Sequence, residues 1–475
     1  MWHDSTELRN NRYKKILLRS EYFYKPAVAL EKDSKLKVMS ENRQSVMLNT
    51  TAYVLGPAVC GYVLWVLKDA LAKDVKRLYF LARDGYFMYL TAKILCRQLN
   101  IPIDCRYLCC SRYSVRIPMF HLNMNEALDY ICRGGIDVTM DKILNRAGLS
   151  KEQKEKVLKE LSRRPDDLIA YADLKGIRKE LEASKDFMNF TKEHSRDTFP
   201  FLEGYLRQEG LLDDTRFSFV DSGWVGSMQK VIATAVNFIH EKDKSSTTFT
   251  PDGYYWGLYE LPADVDSDNY HCYYFSEKSG VKRKIYFSNC LFESIFSAPH
   301  GMTLGYREKD GKFEPVFAQV RSDNKRFILK TQNYLERYAK DLAGSLKQQG
   351  IGPDNLFMIN TQKERDITTE LLNVFMGKPT YGEAYVYGSI PFSDDVLDIN
   401  EQETAALLTQ EELRSNHPWN KIRSMTGLSK ARVKESAWYE GSAVRGRKSI
   451  NLHLRSFACY KWMLYAKKRI KIPRK

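Results

Sequence analysis

The sequence lacks the patterns that identify most metal and nucleotide sites. Its nine cysteines include no Cys-x-x-Cys pair, and its eight histidines form no His-x-x-x-His pair or His/Cys cluster. We therefore predict no metal site, and we expect the cysteines to be reduced thiols in a reducing compartment. The Gly-Lys-Ser/Thr ending of a P-loop and the glycine fingerprint of a dinucleotide-binding turn are also absent. The sequence does not identify a cofactor.

Nucleic acid binding and secretion are disfavoured on similar grounds. Lys and Arg outnumber Asp and Glu by 74 to 59, which gives a formal charge of +15 and favours anionic partners. No zinc-finger spacing, helix–turn–helix pattern or aromatic RNA-binding motif accompanies this charge, so we expect no nucleic acid partner. Residues Met1–Asn11 are polar and contain no apolar signal core, which predicts a cytoplasmic location.

The chain has enough apolar residues for a large core. Of its 475 residues, 43% are hydrophobic and 12% aromatic, which suits two or three globular domains. The segment Ala52–Leu67 is nearly all apolar. It is shorter than the roughly 20 residues that a bilayer span needs, and it contains Gly56, Pro57 and Gly61. We therefore predict a buried helix there.

The hydrophobic pattern predicts an α/β fold. A short apolar run at 77–82, a helical pattern at 86–99 and a second apolar run at 104–110 form a strand–helix–strand unit with parallel strands. We predict an open, mostly parallel, Rossmann-like sheet with a helical insertion and a helical C-terminal region. The predicted divisions are peripheral N-terminal helices at 1–48, an α/β core at 49–120 and 215–306, a helical insertion or cap at 121–214, a mostly helical region at 307–450, and a basic amphipathic tail at 451–475.

One candidate loop follows the predicted strand at 216–220. Ligands of open parallel sheets bind at the carboxyl ends of the strands, and the segment Asp221–Ser227 begins at such an end. Glycine permits close backbone approach, and the helix that follows favours an anion at its first turn. The alternative is that Asp221 caps this helix and the glycines only permit packing. The residues predicted to bind a ligand here are Ser222, Gly223, Gly226 and Ser227.

A second candidate loop follows the first strand. Arg83, Asp84 and Gly85 stand where that strand ends, and Ser111, Arg112 and Arg116 stand at or shortly beyond the end of the next. We predict that they face the same crevice, where three arginines favour an anionic, phosphorylated small molecule. The alternative is a structural ion pair between Arg83 and Asp84 that closes a turn.

A third candidate lies between Glu293 and Gly301. Glu293 and His300 supply an acid–base pair on one reading, whereas on the other His300 is a loop residue with a satisfied ring. The catalytic candidates are therefore Asp84, Asp221, Glu293 and His300.

The chain resembles a bacterial family that occurs among polysaccharide-biosynthesis genes, whose members are described as predicted haloacid-dehalogenase (HAD) superfamily hydrolases. The resemblance covers about residues 45 to 445, and its most specific parts are Tyr79–Gly85 and Asp221–Ser227. Asp84 is followed by Gly85 and Tyr86, so the HAD nucleophile motif Asp-x-Asp is absent. The resemblance therefore implies the companion domain of the longer relatives. Its other matching residues are Gly56, Pro57, Trp65, Tyr107, Ser111, Arg112, Gln229, Glu293, Pro299, His300, Gly301, Trp438, Gly441 and Ser442.

The resemblance implies a role in the synthesis of cell-surface polysaccharide. We expect a cytoplasmic protein that binds a phosphorylated sugar or nucleotide-type ligand, with a HAD-like hydrolase or transferase activity as one reading. The alternative is a non-catalytic ligand-binding or scaffold partner of a glycosyltransferase at the membrane surface.

The C-terminal tail predicts peripheral contact with an anionic membrane at its inner face. Aromatic and apolar residues share much of one side of a helix from residue 451, and cations gather at its end, as in interfacial helices. The alternative is a terminal helix docked on the protein's own core. The residues on the predicted apolar side are Leu452, Leu454, Phe457, Trp462, Met463 and Leu464, and the cations are Lys467, Lys468, Arg469, Lys471, Arg474 and Lys475.

Overall fold

The computed structural model describes residues 6–33, 42–134, 138–245, 248–392, 402–425 and 433–469. A parallel sheet of five strands lies at its centre, with the bounds β1 Arg77–Leu81, β2 Asp104–Leu108, β3 Phe217–Trp224, β4 Asp252–Leu258 and β5 Tyr270–Phe275. The strands lie side by side in the order β2-β1-β3-β4-β5, which is the order of flavodoxin-like doubly wound sheets. The predicted open, parallel, Rossmann-like α/β fold is confirmed.

Alternation along the strands divides the core into two layers. In β1, Leu78 and Phe80 join the larger hydrophobic cluster, whereas Tyr79 and Leu81 join the cluster on the opposite face. Successive side chains of a strand point to opposite faces, so a strand that is buried throughout carries apolar residues at every position. This is why the run at 77–82 was recognisable in the sequence.

The N-terminal helices belong to the larger core. Tyr13, Leu17, Phe23 and Leu30 are almost completely buried there, so the segment predicted to be peripheral packs one side against this core. Within the described residues, Arg43–Ala72 is the one helical stretch long and apolar enough to cross a membrane, and 94% of its most apolar window is buried inside the protein. The helices are α1 Thr6–Leu17, α2 Tyr24–Lys32, α3 Asn42–Thr50 and α4 Gly56–Ala72, with a π-helical turn Thr51–Leu55 between the last two.

The long connection between β2 and β3 is helical and has a hydrophobic cluster of its own. Ile143, Leu144 and Phe187 are among the buried members of that cluster. Its last helix also contributes Phe199 and Leu202 to the core beneath the sheet, so the insertion and the sheet share one helix. The helices that follow β1 and β2 are α5 Tyr86–Leu99, α6 Arg112–Met119, α7 Met124–Ile131, α8 Met140–Arg146, α9 Lys151–Glu160, α10 Leu174–Ala183 and α11 Lys185–Gln208.

The remainder of the chain is helical with two short antiparallel hairpins. The first hairpin, β6 Thr303–Lys309 with β7 Lys312–Phe317, spans the predicted boundary at 306. The second pairs β8 Pro391–Phe392 with β9 Gln402–Glu403. The helices are α12 Ser227–Lys242, α13 Val281–Tyr286, α14 Asn289–Ile295, α15 Ser322–Gln348, α16 Thr361–Gly377, α17 Tyr381–Gly388, α18 Gln410–Ser415, α19 Pro418–Met425, α20 Tyr439–Arg445 and α21 Ile450–Arg469, and single 3-10 turns occur at Tyr171–Asp173, Ser267–Asn269 and Pro353–Met358.

Helix α20, whose side chains are mostly buried, lies in the region predicted to be mostly helical. The C-terminal tail differs from the sequence prediction. The predicted apolar side of α21 is divided, because Leu454 packs inward whereas Leu452 and Trp462 are exposed. The predicted tail cations Lys471, Arg474 and Lys475 lie outside the described residues.

Candidate functional site

The candidate site lies where the strand order reverses. The chain leaves β1 toward β2 on one side, and returns to β3 on the other side of β1. In doubly wound sheets the crevice beside the carboxyl ends of two such strands is the usual ligand site. Arg83 and Asp84 follow β1 directly, and Asp221, Ser222 and Trp224 belong to the last residues of β3.

Strand β3 is longer than the sequence prediction. It was expected to stop at Asp221, but it continues to Trp224 because Asp221, Gly223 and Trp224 pair with β4. Gly223 has a φ of +105°, and a Cβ added there would lie 2.7 Å from the carbonyl oxygen of Gly257. This glycine therefore permits close contact between neighbouring strands. That is the packing role which the alternative interpretation of this loop gives to its glycines.

The turn after β3 is closely packed at its glycines. A Cβ on Gly226 would lie 2.9 Å from the ring of Tyr270, so this position also serves packing. Gly226 is the N-cap of α12 without a side-chain capping bond, and the alternative that Asp221 caps this helix is wrong. Ser227 is the first residue of α12. Gly85 likewise serves packing, since a Cβ there would lie 2.5 Å from the carbonyl oxygen of Leu81.

Two side chains of β3 hold carboxyl groups from two other elements. Ser222 and Trp224 are two residues apart, and their side chains reach two carboxyl groups that lie close enough to interact. The Ser222 hydroxyl donates a hydrogen bond to Oδ2 of Asp84. The Trp224 indole N–H donates to Oε1 of Glu293, which stands on α14. β3 thus brings the loop after β1 and helix α14 to one place.

Asp221 is held by hydrogen bonds to its carboxylate and to its carbonyl oxygen. Its carboxylate accepts a hydrogen bond from the backbone N–H of Ser222, at 2.9 Å. The hydroxyl of Tyr62, a fully buried residue of α4, lies 3.1 Å from the carbonyl oxygen of Asp221 and 2.8 Å from that of Tyr254. The apolar helix α4 therefore supports the site from beneath.

The three carboxyl groups share one electrostatic environment. Burial raises the pKa of Asp221 to about 7, and the negative charge of Asp84 adds to the rise. Burial and the same charge raise the pKa of Glu293 to about 8. Burial also raises the pKa of Asp84, against the hydrogen bond from Ser222 and the charges of Arg83 and Arg112. Interacting groups titrate as a set, so the cluster retains protons near neutral pH.

The predicted arginines have different surroundings. The charges of Arg83 and Arg112 act on Asp84 and Glu293, and Arg112 is exposed at the first position of α6. Arg116 instead lies over the ring of Tyr130 at 4.8 Å from its centre, with its nearest carboxylate on α7. Arg116 thus contacts residues of the insertion, and its place in the crevice stays a prediction.

The Ser111 hydroxyl has a structural role. It accepts the backbone N–H of Ser114 at 3.0 Å as the N-cap of α6. It also donates to the carbonyl oxygen of Thr303 at 2.7 Å. Ser111 therefore positions Arg112, whereas the sequence predicted that it binds the ligand.

His300 has partners at both ring nitrogens. Its Nδ1 lies 2.8 Å from the carbonyl oxygen of Gly301, so Nδ1 carries the hydrogen, and its Nε2 lies 2.8 Å from the hydroxyl of Tyr107. Burial lowers the pKa of His300, and the charge of Arg83 lowers it further. The ring is therefore neutral and satisfied, as the alternative for this residue expected. Glu293 contacts Trp224 rather than His300.

Sequence reasoning did not assign a role to Trp224, Tyr62 or Tyr107. Trp224 has a left-handed backbone with a φ of +67°, so regular strand alternation would not have located its side chain. Tyr62 lies in an apolar run that carried no chemical signal, and Tyr107 holds its histidine partner from 193 positions away.

The described part of the chain contains no group of three His, Cys, Asp or Glu side chains arranged to hold a metal ion, and none of the nine cysteines, all of which lie in that part, forms a disulfide. No family model and no curated protein sequence matches this chain. The assignment of the site therefore depends on the geometry of the chain itself.

Proposed function

We propose that this chain is an enzyme of cell-surface polysaccharide synthesis that acts on a phosphorylated sugar or nucleotide-sugar at the carboxyl ends of β1 and β3. The observation that carries the proposal is a group of three carboxyl groups with raised pKa values, next to an exposed arginine, at the point where the strand order reverses. The biological setting comes from the resemblance of the segments Tyr79–Gly85 and Asp221–Ser227.

The arginines supply the affinity for an anion. Arg112 is exposed and Arg83 half-buried, so both can reach a ligand above the sheet. An arginine guanidinium matches a phosphate with two parallel hydrogen bonds. Protons held by the carboxyl groups near neutral pH reduce the negative charge that would otherwise repel the phosphate.

The carboxyl groups supply the acid–base chemistry. A group whose pKa lies near the working pH can both donate and accept a proton at a useful rate, and the pKa values of about 7 for Asp221 and about 8 for Glu293 meet that condition. Perturbed pKa values in a crevice are typical of active sites. We assign to Glu293 or Asp84 protonation of the oxygen that leaves, and to a deprotonated neighbour activation of the acceptor hydroxyl or water.

The test is a combined binding and turnover screen. The protein is incubated with nucleotide-sugars and sugar phosphates, products are identified by mass spectrometry, and affinities are measured by calorimetry. We expect a new product from at least one compound. Binding without any product would contradict an enzymatic role. It would support the alternative that the chain is a non-catalytic, ligand-binding partner of a glycosyltransferase.

A matched pair of variants tests the site itself. Arg112→Ala removes a charge-assisted hydrogen bond, which corresponds to about ten- to a hundredfold weaker binding of the phosphorylated ligand. Arg164→Ala removes a strongly exposed arginine of the insertion and leaves affinity unchanged if the assignment is correct. Equal losses in both variants would show that binding depends on overall charge and not on this crevice.

A further inference from the structure

A group of arginines lies around one buried tyrosine at the border between the candidate site and the insertion. Tyr130 on α7 is 8% exposed. Burial raises the pKa of its hydroxyl, whereas the positive charges of four arginines act to lower it, so all four lie near this group. The members of this arginine cluster are Arg112 and Arg116 on α6, Arg133 just after α7 and Arg146 on α8.

Arg116 has little compensation for its charge inside the chain. Within the described residues its nearest carboxylate, that of Glu126, is 3.8 Å away and partly exposed, and the buried Nε of Arg116 has no hydrogen-bond partner there. Burial lowers the pKa of Arg116 and outweighs the opposing effects of Tyr130 and Glu126. The charges of Arg112 and Arg133 lower this pKa further, as expected for like charges held close together.

The hydroxyl of Tyr130 is also unpaired. Its oxygen is buried and has no hydrogen-bond partner in the part of the chain that the structure describes. Such a hydroxyl requires an explanation outside the fold, because folding removes it from water and returns no hydrogen bond. The acceptor that suits a donor among arginines is an anion.

Other arginines of the insertion have partners inside the chain. Arg178 lies 3.0 Å from Asp129 and 3.3 Å from Glu182, and Arg146 donates to the carbonyl oxygen of Ile131 at 3.1 Å. These contacts hold α10 and α8 against α7. Arg146 is therefore structural, and the other three arginines of the cluster supply its capacity for an anion.

Arg112 connects the cluster to the candidate site. It stands one helical turn before Arg116 on α6, so the two side chains lie on the same face of that helix. Its charge acts on Asp84 at the end of the sheet and also on Tyr130 in the insertion. Arg112 and Arg133 are exposed, so an anion can reach the cluster from solvent.

We propose that Arg112, Arg116 and Arg133, together with the Tyr130 hydroxyl, bind the second phosphate group of a pyrophosphate-linked substrate. The inference rests on the function proposed above, in which the first phosphate lies beside Arg83 and Arg112. Arginines one turn apart can bind neighbouring phosphate groups through charge-assisted hydrogen bonds. Of the two substrate classes proposed there, the cluster selects the nucleotide-sugar, since a sugar phosphate has no second phosphate group.

The experiment is isothermal titration calorimetry of the full chain with inorganic pyrophosphate and with inorganic phosphate at equal ionic strength. We expect the intact protein to bind pyrophosphate more tightly. Arg116→Gln removes a charge-assisted hydrogen bond and should weaken pyrophosphate binding about ten- to a hundredfold, so that its advantage over phosphate is lost. The matched control is Arg178→Gln, which removes an arginine paired inside the insertion and should keep this advantage.

Tyr130→Phe separates binding from folding, and it carries the test if Arg116→Gln does not fold. It removes only a hydroxyl that has no partner among the described residues, so we expect unchanged thermal stability and weaker pyrophosphate binding. Equal affinity of the intact protein for both anions, or a preference for pyrophosphate that survives in Arg116→Gln, would overturn the inference and leave the proposed reaction to the product screen. A preference lost in both variants, without product from any nucleotide-sugar, would support the phosphate site and contradict the proposed enzyme.

Discussion

At the amino end of β1, Arg77 is surrounded by acceptors, whereas at the carboxyl end of the same strand Asp84 stands among other carboxyl groups. Arg77 donates to Asp104 at 2.9 Å, to Asp213 at 3.0 Å and to the carbonyl oxygen of Gly210 at 3.0 Å. Its side chain is only 10% exposed, so a buried charge is matched by partners within the chain.

The carboxyl end of the sheet shows the opposite arrangement. Burial raises the pKa of Asp84, Asp221 and Glu293, which means that folding disfavours their charged forms. Side chains that lower the stability of the fold, with no compensating interaction inside the chain, are expected at functional sites. The comparison teaches that one end of this sheet pairs its buried charge within the chain, while the other end keeps carboxyl groups whose charged forms folding disfavours, as the proposed ligand site requires.

The largest expected effect is on turnover. Glu293→Gln keeps an acceptor for the indole N–H of Trp224 but cannot transfer a proton, so it should lower kcat about 10²- to 10⁴-fold on the substrate that the screen identifies. Glu314→Gln, a change at a partly exposed carboxylate of β7, is the control and should retain full activity. Activity retained in Glu293→Gln would remove Glu293 from the acid–base chemistry and weaken the comparison.

The next effect distinguishes the two ends by stability. Arg77→Ala leaves Asp213 and the Gly210 carbonyl without this donor and leaves Asp104 with Arg106 as its partner. We expect the free energy of unfolding to fall by about 2–3 kcal/mol. Arg112→Ala removes an exposed side chain at the other end and should change it by less than about 0.5 kcal/mol. Urea unfolding of both variants provides the measurement. If Arg112→Ala were the more destabilising variant, the carboxyl end would also be structural.

Local pattern predicted the sheet well. β1 was recognised because an apolar run fits a strand that is buried on both faces, and α5 because 3.6-residue spacing begins after Gly85. β2 is a mostly half-buried edge strand, and it was recognised as the second apolar run of a strand–helix–strand unit. The bounds of β3 were wrong because Asp221 and Gly223 resemble a turn in isolation. Pairing with β4 determines that the strand continues to Trp224, and such pairing is a tertiary effect.

The candidate site was only partly predictable for the same reason. Its strand-borne members follow from the rule that ligands bind at carboxyl ends of parallel strands, which requires only strand positions. The contact of Trp224 with Glu293 joins residues 69 positions apart. The diversion of Arg116 to Tyr130 depends on the path of the insertion. Neither contact leaves a periodic signal in the sequence.

The smallest expected effect concerns pH. The pKa of Asp221 rises from 3.8 to about 7 on folding, so between these values the folded chain binds more protons and its stability decreases as the pH rises. Asp221→Asn removes this dependence. We expect the variant to match the intact protein at pH 3 and to exceed it by about 1 kcal/mol at pH 8, where solvent screening reduces the full effect.

Glu203 on α11 is the control with the opposite sign. It pairs with Lys242 at 2.7 Å and Arg207 at 2.8 Å. Although burial opposes the shift, these two cations lower the pKa of Glu203, so its contribution to stability is present at neutral pH and lost as the pH falls. Glu203→Gln should therefore be less stable than the intact protein at pH 7, and the difference should vanish on acidification. Urea unfolding across pH 3 to 8 measures both variants, and two curves of the same sign would show that the carboxyl end of the sheet is not electrostatically distinct from an ordinary ion pair.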